Sequence, residues 1–126
     1  MSDEQPIDTV RRFCEAWGTT DLDEIIAFFS DDAVYHNIPL APVVGPDQIR
    51  ATIEGFSGGV DKIVFRVDNI AADGGTVMTE RHDIFTFANG EIDLPVMGTF
   101  EVADGKITAW RDYFDMNQFM SQMPQG

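Results

Sequence analysis

Apolar residues recur at helical spacing over Ile7, Val10, Phe13, Cys14 and Trp17, with Pro6 placed to open the run and Gly18 to close it, which predicts a first helix. Asp21 and Glu24, three apart, read as a capping box ahead of a short helix through Ile25, Ile26, Phe28 and Phe29. Asp31 and Asp32 read as a turn and residues 33–38 as a strand, after which Pro39, Pro42 and Gly45 interrupt regular structure. Pro46 reopens a helix at its first position, with Ile49, Ile53 and Phe56 on one face and Gly58 and Gly59 at its end.

The period then changes from helix to strand. Ile63, Phe65 and Val67 alternate with polar residues, Gly74 and Gly75 turn the chain, and a second strand runs from Thr76 to Phe87. Asn89 and Gly90 mark a hairpin turn into a strand from Glu91 to Val102, whose Ile92, Leu94, Val96, Gly98 and Phe100 share a face. Pro95 within it implies a bulge or an edge position. Asp104 and Gly105 turn the chain into a last strand, Lys106 to Phe114, and Met116, Phe119, Met120 and Met123 follow at the spacing of a terminal helix. Early helices and late, hairpin-linked strands define an α+β fold class: a curved antiparallel or mixed sheet wrapped around a pocket, with helices packed on one side.

A chain of 126 residues, 44% hydrophobic, suits one domain spanning 1–126 with a single core. With 22 acidic against 8 basic residues, the net charge of −14 repels nucleic-acid phosphates and anionic membranes, which favours a neutral small-molecule substrate. Neither a signal peptide nor a membrane-length apolar run is present, and Cys14 is alone, so a buried thiol in a reducing, cytoplasmic setting is expected.

Candidate chemistry lies in three polar pairs at strand spacing. Residues two apart in a strand face the same way, so Tyr35 and Asn37 share a face, as do Arg81 and Asp83, and Trp110 and Asp112. Arg81 and Asp83 fall on the parity of Val77, Phe85 and Phe87, and Asp112 on that of Trp110 and Phe114. Charges on apolar faces must be paired or neutralised, and here one guanidinium can serve two carboxylates while a phenol and an amide supply further hydrogen bonds. Two neighbouring carboxylates can also be driven to different protonation states, one acid and one base, although parity does not say which is which. His36 and His82 sit on the opposite parity with no ligand spacing nearby, so neither a metal nor another cofactor is called for.

The segments Tyr35-His36-Asn37-Ile38-Pro39-Leu40, Thr79-Glu80-Arg81-His82-Asp83 and Gly105-Lys106-Ile107-Thr108-Ala109-Trp110-Arg111-Asp112-Tyr113-Phe114-Asp115 resemble, in order, the functional strands of the limonene-1,2-epoxide hydrolase family. That family lies within the nuclear-transport-factor-like group of cone-shaped domains, which includes the SnoaL-like proteins. The resemblance runs from about residue 6 to about residue 120, and lacks the longer N-terminal extension of some members. It implies that Asp112 is the general base acting on a water held also by Tyr35 and Asn37. It further implies that Asp83 protonates the epoxide oxygen, Arg81 bridges the carboxylates, Trp110 shapes the site, and the protein is a homodimer. By parity Phe65, Phe85, Leu94, Val96 and Phe114 surround the site, which suits a limonene-epoxide-like, cyclic alkene or aryl epoxide.

Two other functions compete on the same fold. An isomerase or polyketide-type cyclase would use a carboxylate to take a carbon-bound proton, but a cationic Arg81 is a poor match for the neutral donors that enolate chemistry uses. A non-catalytic binding module would leave the three polar pairs without a role.

Overall fold

The computed structural model describes residues 4–19 and 21–123. Helix α1 (Glu4–Ala16) runs into a 3-10 turn at Trp17–Thr19. The helix buries Val10, Phe13 and Cys14 against the sheet and the turn adds Trp17, so the helical period of the sequence is the face that packs. Asp21 caps α2 (Leu22–Ile26), its side chain accepting from the Glu24 amide. The amide of Asp21 itself donates to the Thr19 hydroxyl. Helix α3 (Pro46–Ser57) starts at the proline, and α4 (Met116–Ser121) is capped by Asp115.

Six strands, β1 (Phe29–Asn37), β2 (Val43–Val44), β3 (Lys62–Asp73), β4 (Thr76–Phe87), β5 (Gly90–Ala103) and β6 (Lys106–Tyr113), form one sheet in the order β2-β1-β6-β5-β4-β3. β1 runs parallel to β6 and the other pairs are antiparallel, so the sheet is mixed and ends at β2 and β3 without closing. Its inner face alternates as the sequence does: Val77, Thr79, Arg81, Asp83 and Phe85 on β4, and Ile92, Leu94, Val96, Gly98 and Phe100 on β5, are buried. The concave side, closed by the helices, holds the aromatic core.

Four local expectations change. The second helix stops at Ile26, and Phe29, expected within it, opens β1. Asp31 and Asp32 are not a turn but exposed residues inside β1, where the pairing register with β6 shifts between Phe29 and Val34. The shift lets the chain bend while the strand continues. Val43–Val44, between the prolines, forms a short strand on the free edge of β1. The β4–β5 hairpin turns at Ala88 and Asn89, since Gly90 already pairs with Phe87. Of the two positions open to Pro95, the edge is the one taken: it pairs with His82, but β6 begins pairing only at Met97, so its other side is a local edge where a missing N–H costs no ladder bond. Asp104 and Gly105, with φ of 52° and 76°, form the left-handed two-residue turn that their types favour.

Candidate active site

Pairing register brings the three polar pairs together. On the β1–β6 ladder Tyr35 lies beside Trp110 and Asn37 beside Asp112. Across β5, Gly98 pairs with Asp112 on one side and Thr79 on the other, while Arg81 pairs with Val96 and Asp83 with Leu94. The Arg81 side chain therefore has to cross β5 to reach Asp112, and Gly98 is where it crosses. A Cβ built on Gly98 would fall 2.6 Å from Asp112 Oδ1 and closer still to Arg81 Nη1.

The guanidinium is completely satisfied. Nε donates to Asp83 Oδ1 at 2.9 Å and Nη2 to Asp83 Oδ2 at 2.8 Å. Nη2 also reaches Asp112 Oδ2 at 2.8 Å, and Nη1 reaches Asp112 Oδ1 at 3.2 Å and Thr79 Oγ at 3.1 Å. Five N–H groups meet five acceptors. The Phe65 ring lies 4.8 Å from the guanidinium carbon and covers its face. Trp110 Nε1 donates to Asp112 Oδ1 at 2.6 Å, and the Tyr35 hydroxyl donates to Asn37 Oδ1 at 3.1 Å. Asp112 thus accepts three hydrogen bonds and Asp83 two.

One cation faces two carboxylates in a nearly dry setting: Arg81 is 1% exposed, Asp112 3% and Asp83 4%. Burial pushes the Asp83 carboxyl up from 3.8 to about 6, against the opposing pull of Arg81, with the Asp112 charge adding to the rise. Burial alone would lower Arg81, but its two carboxylate partners hold it well above its ordinary value. The two shifts agree, because a single guanidinium stays charged yet cannot offset both carboxylates. Desolvation, and after it the Asp112 charge, lifts the Tyr35 phenol well above its usual range, so it remains a neutral hydroxyl.

Asp83 and Asp112 open onto a pocket of about 510 Å³, counted out to its mouth, which they line with Tyr35 and Asn37 among apolar residues. Phe65, Phe85, Leu94, Val96 and Phe114 line it, all on the parity assigned to the site. Trp110 does not, which corrects its assignment as a substrate contact. Its ring stacks on Tyr35 and Phe100 with no exposed surface, so it holds Asp112 from behind the pocket wall. Leu40, Phe56, Met116 and Phe119 also line the pocket. Periodicity assigned Phe56 to the packing face of α3 and could not show that this face ends in a cavity. Thr79 and Gly98, on the inner parity of β4 and β5, are the residues the sequence reading passed over. The signals were present, a Thr two residues before Arg81 and a glycine inside a strand, where close approach is the usual reason for it.

His36 and His82 face away, His36 toward the Leu40 carbonyl at 2.9 Å and His82 toward Asp93 at 2.6 Å. Among the described residues, no three His, Cys, Asp or Glu side chains gather as a metal site would. None of their helices is long and apolar enough to cross a membrane.

A cone-like α+β domain with an arginine-bridged carboxylate pair in an apolar pocket defines a class, small-molecule pocket proteins on the nuclear-transport-factor-like fold, and comparison with known proteins narrows it. Residues 4–125 match the limonene-1,2-epoxide hydrolase catalytic domain. The chain is 34% identical over 117 residues to epoxide hydrolase EphG of Mycobacterium tuberculosis, an alignment covering 93% of this chain and 78% of that protein. An LEH-like epoxide hydrolase structure from M. tuberculosis superposes with a TM-score of 0.83 at 32% identity, over 95% of this chain and 90% of that one. A putative polyketide cyclase from Xanthomonas campestris superposes as well, at 0.84 over 95% and 97% of the two chains, but at 19% identity, a likeness of fold alone. The chain belongs to the limonene-1,2-epoxide hydrolase family and is an epoxide hydrolase of that type.

Proposed function

We propose that the protein acts as a single domain that opens a small apolar epoxide, of the limonene-epoxide, cyclic alkene or aryl kind, to a vicinal diol in one step. Asp112 takes a proton from a water that Asn37 and the Tyr35 oxygen help to hold, while Asp83 donates its proton to the epoxide oxygen as the C–O bond breaks. Arg81 orients both carboxylates.

The observation that carries this reading is the asymmetry of the pair. Asp112 accepts three hydrogen bonds, the Trp110 indole among its donors, whereas Asp83 accepts two and burial raises its carboxyl to about 6, so Asp83 is pushed toward the protonated form. With Asp83 protonated, the buried trio of Arg81, Asp83 and Asp112 carries no net charge, the least costly arrangement away from water. Apart from the four polar side chains, the pocket is lined by aliphatic, aromatic and thioether side chains, which fits an epoxide without other polar substituents. A cyclase reading finds no such support, because the two carboxylates are bridged by a charged guanidinium, whereas enolate chemistry asks for neutral donors at one oxygen.

The test is a single turnover in ¹⁸O-water. Direct attack by water labels the diol at once, whereas attack by a carboxylate would give unlabelled diol first and leave label in Asp83 or Asp112. Asp112→Asn should lower turnover by at least ~10²-fold with the fold intact. A folded Asp112→Asn protein with normal turnover would remove the base from the scheme.

Two further properties belong to this proposal. Met97 lies opposite Tyr113 on the outer face of the sheet, with Met78 on the same side, all about half exposed, and we assign this face to a second copy in a homodimer. Sedimentation at assay concentration checks it. Cys14 is buried and its thiol is pushed by desolvation to about 12, an unreactive state compatible with the cytoplasm.

A further inference from the structure

The five N–H groups of Arg81 outnumber the four carboxylate oxygens that surround it. Asp83 and Asp112 take one N–H on each oxygen, and the fifth, on Nη1, goes to the Thr79 hydroxyl at 3.1 Å. Thr79 is fully buried and is not among the residues lining the pocket, so its hydroxyl faces the guanidinium and not the substrate. It also lies 3.5 Å from the Gly98 carbonyl, to which it donates. Thr79, Gly98 and Asp112 are consecutive partners across β4, β5 and β6, and the guanidinium lies over this row. A Cβ at the middle of it would approach Arg81, Asp112 and Thr79 all within 3.0 Å, so any residue but glycine would have to push these side chains out of the bridge.

We propose that Thr79 and Gly98 are positioning residues for epoxide opening. The hydroxyl takes the one guanidinium N–H that neither carboxylate accepts, and the bare glycine leaves the path by which Arg81 reaches Asp112. This rests on the acid–base reading of the pair and adds how its geometry is set. Without the Thr79 oxygen, Nη1 has one partner left, Asp112 Oδ1, at 3.2 Å the longest of the carboxylate contacts. The fork then turns toward Asp112, moving that carboxylate from its place, and loosens from Asp83, which holds its proton to higher pH. The ionisable groups that act on Asp83 are Arg81, Asp112 and, from the other face of its own strand, His82. Cys14 of α1 and Tyr35 of β1 face the same carboxylates.

Thr79→Val keeps the shape and removes the hydroxyl, and Thr79→Ser keeps the hydroxyl and removes a methyl. With folding verified by circular dichroism and kinetics run on one epoxide, Thr79→Val should lower kcat about 10-fold or more. KM should stay within about twofold, because the residue is outside the pocket. The alkaline limb of kcat/KM against pH should move upward, and Thr79→Ser should return both kcat and the limb toward wild type. Gly98→Ala should lose at least as much turnover. A Thr79→Val enzyme with wild-type kcat overturns the proposal. So does a loss that Thr79→Ser fails to recover, or one that falls on KM alone, since either would mean packing and not hydrogen bonding. Asp112→Asn measured alongside separates the two levels: if it stays active the acid–base reading is wrong, whereas an inactive Asp112→Asn with an unaffected Thr79→Val refutes only the positioning role.

Discussion

Replacing Asp83 by Asn turns its raised pKa into a measurable slope. The group binds its proton more tightly in the fold, at about 6, than in the unfolded chain, at 3.8. The native state therefore favours protonation, and wild-type stability falls as pH rises from about 4 to about 6, with the loss complete above that. A displacement of about two pH units at ~1.4 kcal/mol each makes the loss about 3 kcal/mol. Asn cannot ionise, so this component disappears in the variant. It also turns an amide toward Arg81, placing a donor against Nε or Nη2 at a cost of roughly 1–3 kcal/mol that does not vary with pH. The absolute stabilities at pH 7 can thus nearly coincide. The informative quantity is the difference between the two proteins from urea denaturation at pH 4, 5, 6, 7 and 8, in which the other titrating residues cancel. That difference should move by about 3 kcal/mol in favour of Asn between pH 4 and pH 7. Turnover should be lower by at least ~10²-fold at every pH. Parallel stability curves would show that Asp83 titrates normally in the fold, and would remove the reason for naming it the acid.

Arg81→Ala should abolish most turnover and cost about 3–5 kcal/mol at neutral pH, because it strands two buried carboxylates; an unchanged melting temperature would show that they are solvated. In the wild-type enzyme kcat/KM should decline on the alkaline side with an apparent pKa near 6, as Asp83 loses the proton it donates, and a profile flat to pH 9 would contradict that role.

The sheet was legible because strand parity is local. Knowing that residues 81 and 83 share a face requires no knowledge of what lies opposite, and the burial of Arg81, Asp83, Leu94, Val96 and Asp112 follows that rule. Parity assigns a side but not a depth, so it puts Trp110 on the site's face without showing that Tyr35, Phe100 and Phe13 cover it, contacts that come from two other strands and a helix. The helix starts at Asp21 and Pro46 were readable from capping chemistry. Asp31 and Asp32 were not readable as strand, because their side chains carry a turn signature that the pairing with β6 overrides. Pocket walls from Leu40 and α4 depend on how a loop and a terminal helix fold back, which no local period encodes.

The parallel pairing of β1 with β6 has a consequence for how the enzyme comes into being. Asn37 and Asp112 are ladder partners separated by roughly 75 positions along the chain, whereas β3, β4, β5 and β6 are joined by two-residue hairpins. Hairpins close quickly and the distant ladder closes late, since its loop entropy must be met before its contacts form. The Arg81 bridge lies within the hairpin-linked strands, but Tyr35 and Asn37, proposed to hold the water, arrive only with β1. During refolding, the burial of the arginine–carboxylate trio and the recovery of diol formation should therefore separate in time, with catalytic competence as the later event.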